Sequence, residues 1–153
     1  MTQERGNSIT KKEKRFAVLI ASSLTALFLC GCGISWDITE NSEKIADPNM
    51  NEFVNPDNPE DRYAYVETGG RRYLLFGTQN KTLNDKQIGE CIAYSEKDSN
   101  WRYYDVIGYD DFIAEFYVNG EMEQVHFLRD IETIGKDIVI PDFIDEFEYD
   151  IWK

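Results

Sequence analysis

The chain has 153 residues, of which 29 are acidic and 16 basic, and its formal net charge at pH 7 is −13. A chain this acidic is repelled by phosphate backbones, which argues against a nucleic-acid partner. One histidine and three cysteines are too few for a metal site built from several histidine or cysteine ligands.

The N-terminal segment has the order of charge and hydrophobicity of a secretory signal. A basic stretch ends at Arg15, and the fourteen residues 16–29 are uncharged. That run fits the ~7–15 residues of a signal h-region and is shorter than the ~20 residues of a membrane-spanning helix. It closes on Leu29–Cys32 (LCGC), which resembles the lipobox of bacterial lipoprotein precursors. The resemblance implies a type II signal peptide, a diacylglyceryl group on Cys32 and a location on the extracytoplasmic face of the cell membrane.

Cys30 is a second candidate for lipid attachment within the same motif. Attachment there would place the bulky Leu29 directly before the cut, whereas attachment at Cys32 places the small Gly31 there. Two acyl chains also hold a protein at a membrane more firmly than one. We therefore predict a signal peptide over residues 1–31 and a membrane partner held through the lipid on Cys32. The alternative is an uncleaved N-terminal anchor with two incidental cysteines.

Removal of residues 1–31 changes the charge and the thiol content of the chain. It takes away five basic and two acidic side chains, which leaves 122 residues with a net charge of −16. Such a surface is expected to attract a basic protein or envelope partner, or only to keep an exposed domain soluble. With Cys32 lipidated, Cys91 is the remaining cysteine, so no intramolecular disulfide is expected. We interpret Cys91 as a buried, small apolar residue of a strand.

Two regions follow the signal. Residues 32–60 are polar and contain Pro48, Pro56 and Pro59, which oppose regular structure. We interpret this segment as a lipid-anchored polar tether and residues 61–153 as a β-rich globular domain.

The pattern after residue 61 is that of short strands and tight turns. Gly69-Gly70 and Asn119-Gly120 are hairpin signals, because glycine and asparagine tolerate the positive φ of such turns. The predicted strands are 63–66, 73–76, 88–94, 101–107, 113–118 and 122–128. The sequence thus predicts a mainly β (β-rich α+β) fold, a small antiparallel sheet or half-open barrel of about six strands in hairpins. A short helical turn is predicted near the C-terminus, at about 141–146.

Within this region, residues 86–94 read KQIGECIAY and residues 103–120 read YYDVIGYDDFIAEFYVNG. Together they resemble a segment of small lipoproteins and surface proteins of Gram-positive bacteria, in which an IGE strand precedes a Y-x-hydrophobic-x-GY strand and a further hydrophobic strand. The resemblance implies the fold class and carries no activity.

His126 is the one histidine and the obvious candidate for proton transfer or metal binding. A single histidine within a strand is more often structural or exposed than catalytic. The chain has no G-x-S-x-G element to present a nucleophile. We therefore predict no catalytic residue, no metal and no cofactor.

Four aromatic residues near the fourth predicted strand are candidate ligand-facing residues: Trp101, Tyr103, Tyr104 and Tyr109. They would stack on a sugar or anchor a peptide, or else form the core of a small sheet. Two hypotheses about function follow. The first is a non-catalytic, membrane-anchored binding module for another protein or a cell-envelope component. The second is a small wall hydrolase or carbohydrate-binding module, which requires a concave site where aromatics and carboxylates converge.

Overall fold

A computed structural model describes residues 33–119 and 125–153 and shows a mainly β fold in which nine strands form one curled sheet. The strands are β1 Glu43–Ile45, β2 Glu52–Val54, β3 Arg62–Thr68, β4 Arg71–Gln79, β5 Ile88–Ser95, β6 Trp101–Val106, β7 Phe112–Tyr117, β8 His126–Asp130 and β9 Ile144–Glu146. Three 3-10 turns accompany them: Pro48–Met50, Ile131–Thr133 and Asp150–Trp152. None of the helical segments in the described ranges has the length and apolar character needed to cross a membrane.

The order of strands shows a half-open barrel. The path is β1-β5-β6-β7-β8-β4-β3-β2, with β9 beside β4, and only β1 and β5 pair in parallel. One end of the path returns toward the other at Glu43 on β1. The Glu43 carboxylate accepts hydrogen bonds from Thr68 Oγ1 at 2.7 Å and from Gly69 N at 2.9 Å. Side-chain contacts, rather than another strand ladder, therefore close the barrel at this point.

Strand β4 lies at a branch in the sheet. On one side it pairs with β8 along residues 73–78. On the other side β3 pairs with its first half, and β9 pairs with residues 77–79. The short strand β9 thus continues the row that β3 begins, and it ties the C-terminal segment to the sheet.

Both faces of the sheet are buried, because successive side chains of a strand point to opposite faces and each face has its own cover. The cluster on the concave face consists of Ile45, Val66, Tyr73, Ala93, Tyr103, Ile113 and Leu128. The larger outer cluster includes Phe76, Cys91, Tyr104, Phe112, Phe116 and Phe127. Segments before β1 and after β8 cover it with Ile34, Trp36 and Phe143.

The structure confirms the predicted fold class. The six predicted strands correspond to β3–β8, and Gly69 and Gly70 have the expected positive φ values of 59° and 73°. Strands β7 and β8 pair antiparallel, as the second predicted hairpin requires. Gly120 of that hairpin and residues 122–124 of the last predicted strand lie outside the described residues, as do the predicted signal peptide 1–31 and Cys32.

The prediction of a tether over 32–60 is wrong for its described part. Residues 33–60 contribute β1 and β2 to the sheet, and Ile34 is only 7% exposed. The prolines here punctuate short elements instead of preventing them: Pro48 begins a 3-10 turn whose N-cap is Asp47. The β-rich fold therefore includes residues 33–60 together with 61–153.

The helical turn near the C-terminus lies at Asp150–Trp152 and not at 141–146. Residues 144–146 are β9 instead, because the edge of β4 beyond β3 offers them backbone partners. The Phe147 N–H extends this pairing by donating to Phe76 O at 2.8 Å.

Candidate functional site

The concave face ends in an open cavity of about 430 Å³. Its wall combines apolar residues of the concave cluster with polar side chains from several strands and turns. The polar members include Asp47, Lys97, Asp98, Tyr103, Glu115 and His126, and Trp101 is the largest aromatic among the exposed lining residues. The mouth of a β-barrel is a preferred place for ligand sites, which are mostly apolar pockets with a few placed polar groups.

Tyr103, Glu115 and His126 form a row across β6, β7 and β8. Tyr103 lies opposite Glu115 in the register, and Glu115 lies opposite His126. Directly opposite residues of neighbouring strands share one face, so all three side chains line the cavity. The row runs from the buried wall, where Tyr103 is 2% exposed, to the rim, where the His126 side chain is 37% exposed.

Glu115 is the centre of this row. One of its carboxylate oxygens, Oε1, is 3.3 Å from His126 Nδ1, and the Tyr103 side chain lies beside it on the same face. Burial raises the pKa of Tyr103 far above its usual range, and the neighbouring Glu115 charge raises it further. The Tyr103 hydroxyl is therefore protonated at neutral pH, and it presents a neutral donor to the cavity rather than a base.

Lys97 and Asp47 form an ion pair on the opposite wall, with 2.8 Å between Nζ and Oδ2. The hydrogen bond from Lys97 lowers the pKa of Asp47, and a backbone hydrogen bond from Asn49 adds to the effect. Glu115 and Asp98, by contrast, have no lysine or arginine nitrogen within 4 Å among the described residues. The cavity therefore holds more negative than positive charge.

Trp101 lies at the rim and is 37% exposed. Its ring packs against Tyr117 with 5.0 Å between centroids, and the Tyr117 hydroxyl donates to Asp98 Oδ2 at 3.1 Å. The contact with Tyr117 holds the indole beside the carboxylate of Asp98. An aromatic face next to carboxylates suits either a cation or the apolar face of a sugar.

The structure separates the four aromatics that the sequence groups as ligand-facing. Trp101 and Tyr103 line the cavity. Tyr104 follows Tyr103 on the same strand and so points to the other face, where it is 0% exposed in the outer cluster. Tyr109 lies in the β6–β7 turn and packs on Phe143, with 6.1 Å between ring centroids. The prediction that Tyr104 and Tyr109 face a ligand is therefore wrong, because both pack in the outer cluster.

Cys91 lies where the sequence places it, buried in β5 with 3% exposure. Burial raises the pKa of its thiol, so it is protonated at neutral pH and unsuited to nucleophilic attack. His126, the other residue that the sequence singles out, lies at the cavity and contacts Glu115. No group of three or more metal-ligating side chains in residues 33–119 and 125–153 is placed to hold a metal ion.

Sequence reasoning missed Glu115, Asp98, Lys97 and Asp47 as cavity residues. For Glu115 a signal was present, because it is the one charged side chain at the alternate positions of β7, between Ile113 and Tyr117. The Asp47–Lys97 pair joins residues fifty positions apart and left no local signal.

A comparison of the chain with protein-family models, curated proteins and solved structures finds no match. The cavity and the N-terminal sequence are therefore the observations from which a function is inferred.

Proposed function

We propose that the chain is a lipid-anchored extracytoplasmic binding module that captures a basic protein partner at the mouth of its half-open barrel. The observation that carries this proposal is the open cavity, in which Glu115 and Asp98 have no lysine or arginine partner among the described residues. The net charge of −16 beyond residue 31 favours the same class of partner. Complementary charge speeds encounter and selects against wrong partners.

The anchor in this proposal is the lipid on Cys32. Its support is the basic segment, the short uncharged run and the LCGC motif that ends at Cys32. A domain held at the membrane in this way meets its partner at the cell surface.

The polar row of the cavity favours binding over catalysis. Glycoside hydrolysis needs a carboxylic acid with a raised pKa and a second carboxylate across the scissile bond. The pKa of Asp47 is lowered instead, and Glu115 is engaged by Tyr103 and His126. These side chains support a non-enzymatic role.

Carbohydrate binding is the second candidate, because Trp101 exposes its ring at the rim of a concave site that also holds carboxylates. In that case the ligand would be a wall glycan, stacked on the indole. The two candidates place different molecules at the rim in the cell: a basic protein in the first case and a wall glycan in the second.

Cells that express the full chain with a photo-crosslinking residue at Met50 would test the proposal. Met50 is 81% exposed and adjoins the cavity-lining Asn49, whereas Val139 is 75% exposed and lies outside the cavity. We expect the Met50 site to capture a basic protein, with a yield that falls as salt rises because salt screens surface charge. The Val139 site is the matched control and should not capture it.

A fatty-acid analogue fed to the same cells tests the anchor. We expect label on the wild-type chain and on Cys30→Ser, and none on Cys32→Ser. An unlabelled wild-type chain would contradict the anchor. A glycan adduct at Met50, or equal capture of the same protein at Met50 and Val139, would contradict the proposed partner.

A further inference from the structure

We infer that the cavity receives one lysine or arginine side chain of the partner, with Glu115 as its carboxylate and Trp101 as its aromatic wall. This inference rests on the proposed function and sharpens it, since the proposed function requires only that the partner be basic. It assigns a specific ligand group, a side-chain ammonium or guanidinium, to a specific carboxylate.

The contacts of Glu115 are the first argument. Its side chain is only 18% exposed, and it contacts His126 Nδ1 at 3.3 Å, beyond the ~2.7–3.2 Å of most N–H···O hydrogen bonds. Its neighbour on β6 is Tyr103, which brings a neutral hydroxyl and no charge. A largely buried carboxylate is stabilised best by a charge-assisted hydrogen bond, which is roughly twice as strong as a neutral one. Among the described residues no lysine or arginine supplies it.

The charges around Glu115 are the second argument. The acidic and basic side chains that line the cavity are three carboxylates, His126 and one lysine, and that lysine is already bound to Asp47. The Asp98 carboxylate accepts hydrogen bonds from two neutral donors in the described part of the chain. These are the Asn100 N–H at 3.0 Å and the Tyr117 hydroxyl at 3.1 Å. An incoming cation therefore meets uncompensated negative charge and no free lysine that would repel it.

The third argument is the shape of the cavity and the position of Trp101. A volume of about 430 Å³ is near the lower end of the ~300–1,000 Å³ of ligand pockets. It suits one extended side chain, whose methylene stem would contact Val66 and Leu128. Trp101 offers a ring face for the cation. The molecule already contains such a contact, because the Arg129 guanidinium carbon lies 4.9 Å from the Trp152 ring centroid.

Two capped tripeptides, Gly-Arg-Gly and Gly-citrulline-Gly, provide a direct test with the full chain. Citrulline has nearly the shape of arginine without its charge. Calorimetric titration should show binding of the arginine peptide, and binding of the citrulline peptide weaker by about tenfold or more. Glu115→Gln should weaken the arginine peptide by about tenfold, the effect of one charge-assisted hydrogen bond.

Glu67→Gln is the matched control, because it removes the same charge from an exposed residue of β3 that does not line the cavity. We expect it to change the affinity less than about twofold, as for a screened surface charge. Trp101→Leu alters an exposed rim residue and should weaken the arginine peptide by about threefold. If circular dichroism shows that Glu115→Gln does not fold, the affinity of Trp101→Leu for the arginine peptide tests the inference in its place.

The outcomes separate the two levels of the proposal. Equal weakening by Glu115→Gln and Glu67→Gln would overturn the inference, because general surface charge would then account for binding. A citrulline peptide that binds as well as the arginine peptide would overturn it too. In either case, capture of a basic protein at Met50 leaves the proposed function in place. Failure of that capture overturns the proposed function itself.

Discussion

Arg71 connects two aspartates that differ in burial. Its Nε lies 2.5 Å from Asp130 Oδ2, and its Nη2 lies 3.0 Å from Asp111 Oδ1. The Asp130 side chain is 1% exposed and that of Asp111 is 41% exposed. Asp130 also caps the turn Ile131–Thr133 by accepting the Glu132 N–H at 2.8 Å. The two carboxylates thus share the Arg71 guanidinium, but only that of Asp130 is buried.

We expect Asp130→Asn to lower the free energy of unfolding by about 2 kcal/mol, because a buried charged acceptor is lost. Asp111→Asn should lower it by less than about 1 kcal/mol, because that pair is exposed and screened. Urea denaturation of both variants measures the difference. Equal losses would show that the burial of Asp130 does not determine the strength of its pair.

Single residues could be predicted only as far as their local pattern allowed. Cys91 lies in an apolar strand sequence, and its burial follows from that pattern alone. The place of Glu115 in a polar row depends on the register of β6 with β7 and of β7 with β8. No local pattern contains that register, so the row of Tyr103, Glu115 and His126 became visible only in the folded chain.

Gly77 is one of two residues at which β4 has both β8 and β9 as neighbours. A Cβ atom there would lie 2.4 Å from Asp145 O and 2.8 Å from Ile144 Cγ2. At Gly89 in β5, a Cβ would meet only the Asp105 side chain, with 2.7 Å to Oδ2. The first contact is with the backbone of a paired strand, which cannot move without losing its ladder. The second is with a side chain that can rotate away.

Gly77→Ala should therefore lower the free energy of unfolding by about 1–3 kcal/mol, the usual cost of overpacking. Gly89→Ala is the matched control and should cost less than about 1 kcal/mol. Hydrogen exchange of the amides in β9 should also become faster in Gly77→Ala and stay unchanged in Gly89→Ala. Unchanged exchange in both variants would contradict the role of Gly77 in admitting β9.

Element length determined which strands were visible in the sequence. Strands β3–β8 have five to nine residues, long enough for alternation and turn signals to mark them. Strands β1, β2 and β9 have three residues each. Three residues are too few to show an alternating pattern. These strands form because β1 pairs with the edge of β5, β2 with that of β3 and β9 with that of β4. The tether and the helical turn at 141–146 were mispredicted for this reason.

At the scale of the whole molecule, the terminal segments cover the outer face and leave the cavity open. Arg129 is 4% exposed and donates from Nη2 to the carbonyls of Thr133 at 2.8 Å and Lys136 at 3.1 Å. Its guanidinium also contacts the rings of Phe76 and Trp152. The C-terminal segment is thereby fixed to the outer face. On the concave side, the cavity with its acidic wall remains accessible.

The buried tyrosines make the stability of the whole fold sensitive to alkaline pH. Burial raises the pKa of Tyr73, Tyr103 and Tyr104 above the usual value of 10. The unfolded chain releases these protons near pH ~10, whereas the folded chain retains them. The stabilisation is therefore complete below about pH 10 and is lost as the pH rises above it, by up to about 1.4 kcal/mol per pH unit for each tyrosine.

Tyr104→Phe tests this dependence, since it removes one titrating hydroxyl from the core. The hydroxyl donates to Trp36 O at 3.1 Å, so the variant should lose about 1 kcal/mol of stability at neutral pH. Above about pH 10 its stability should decline less steeply than that of the wild type, because one fewer proton is released on unfolding. Urea unfolding midpoints across the alkaline range give both slopes. Parallel slopes would show that the pKa of Tyr104 is the same in the folded and unfolded chain, and Tyr104 would then contribute nothing to the alkaline loss.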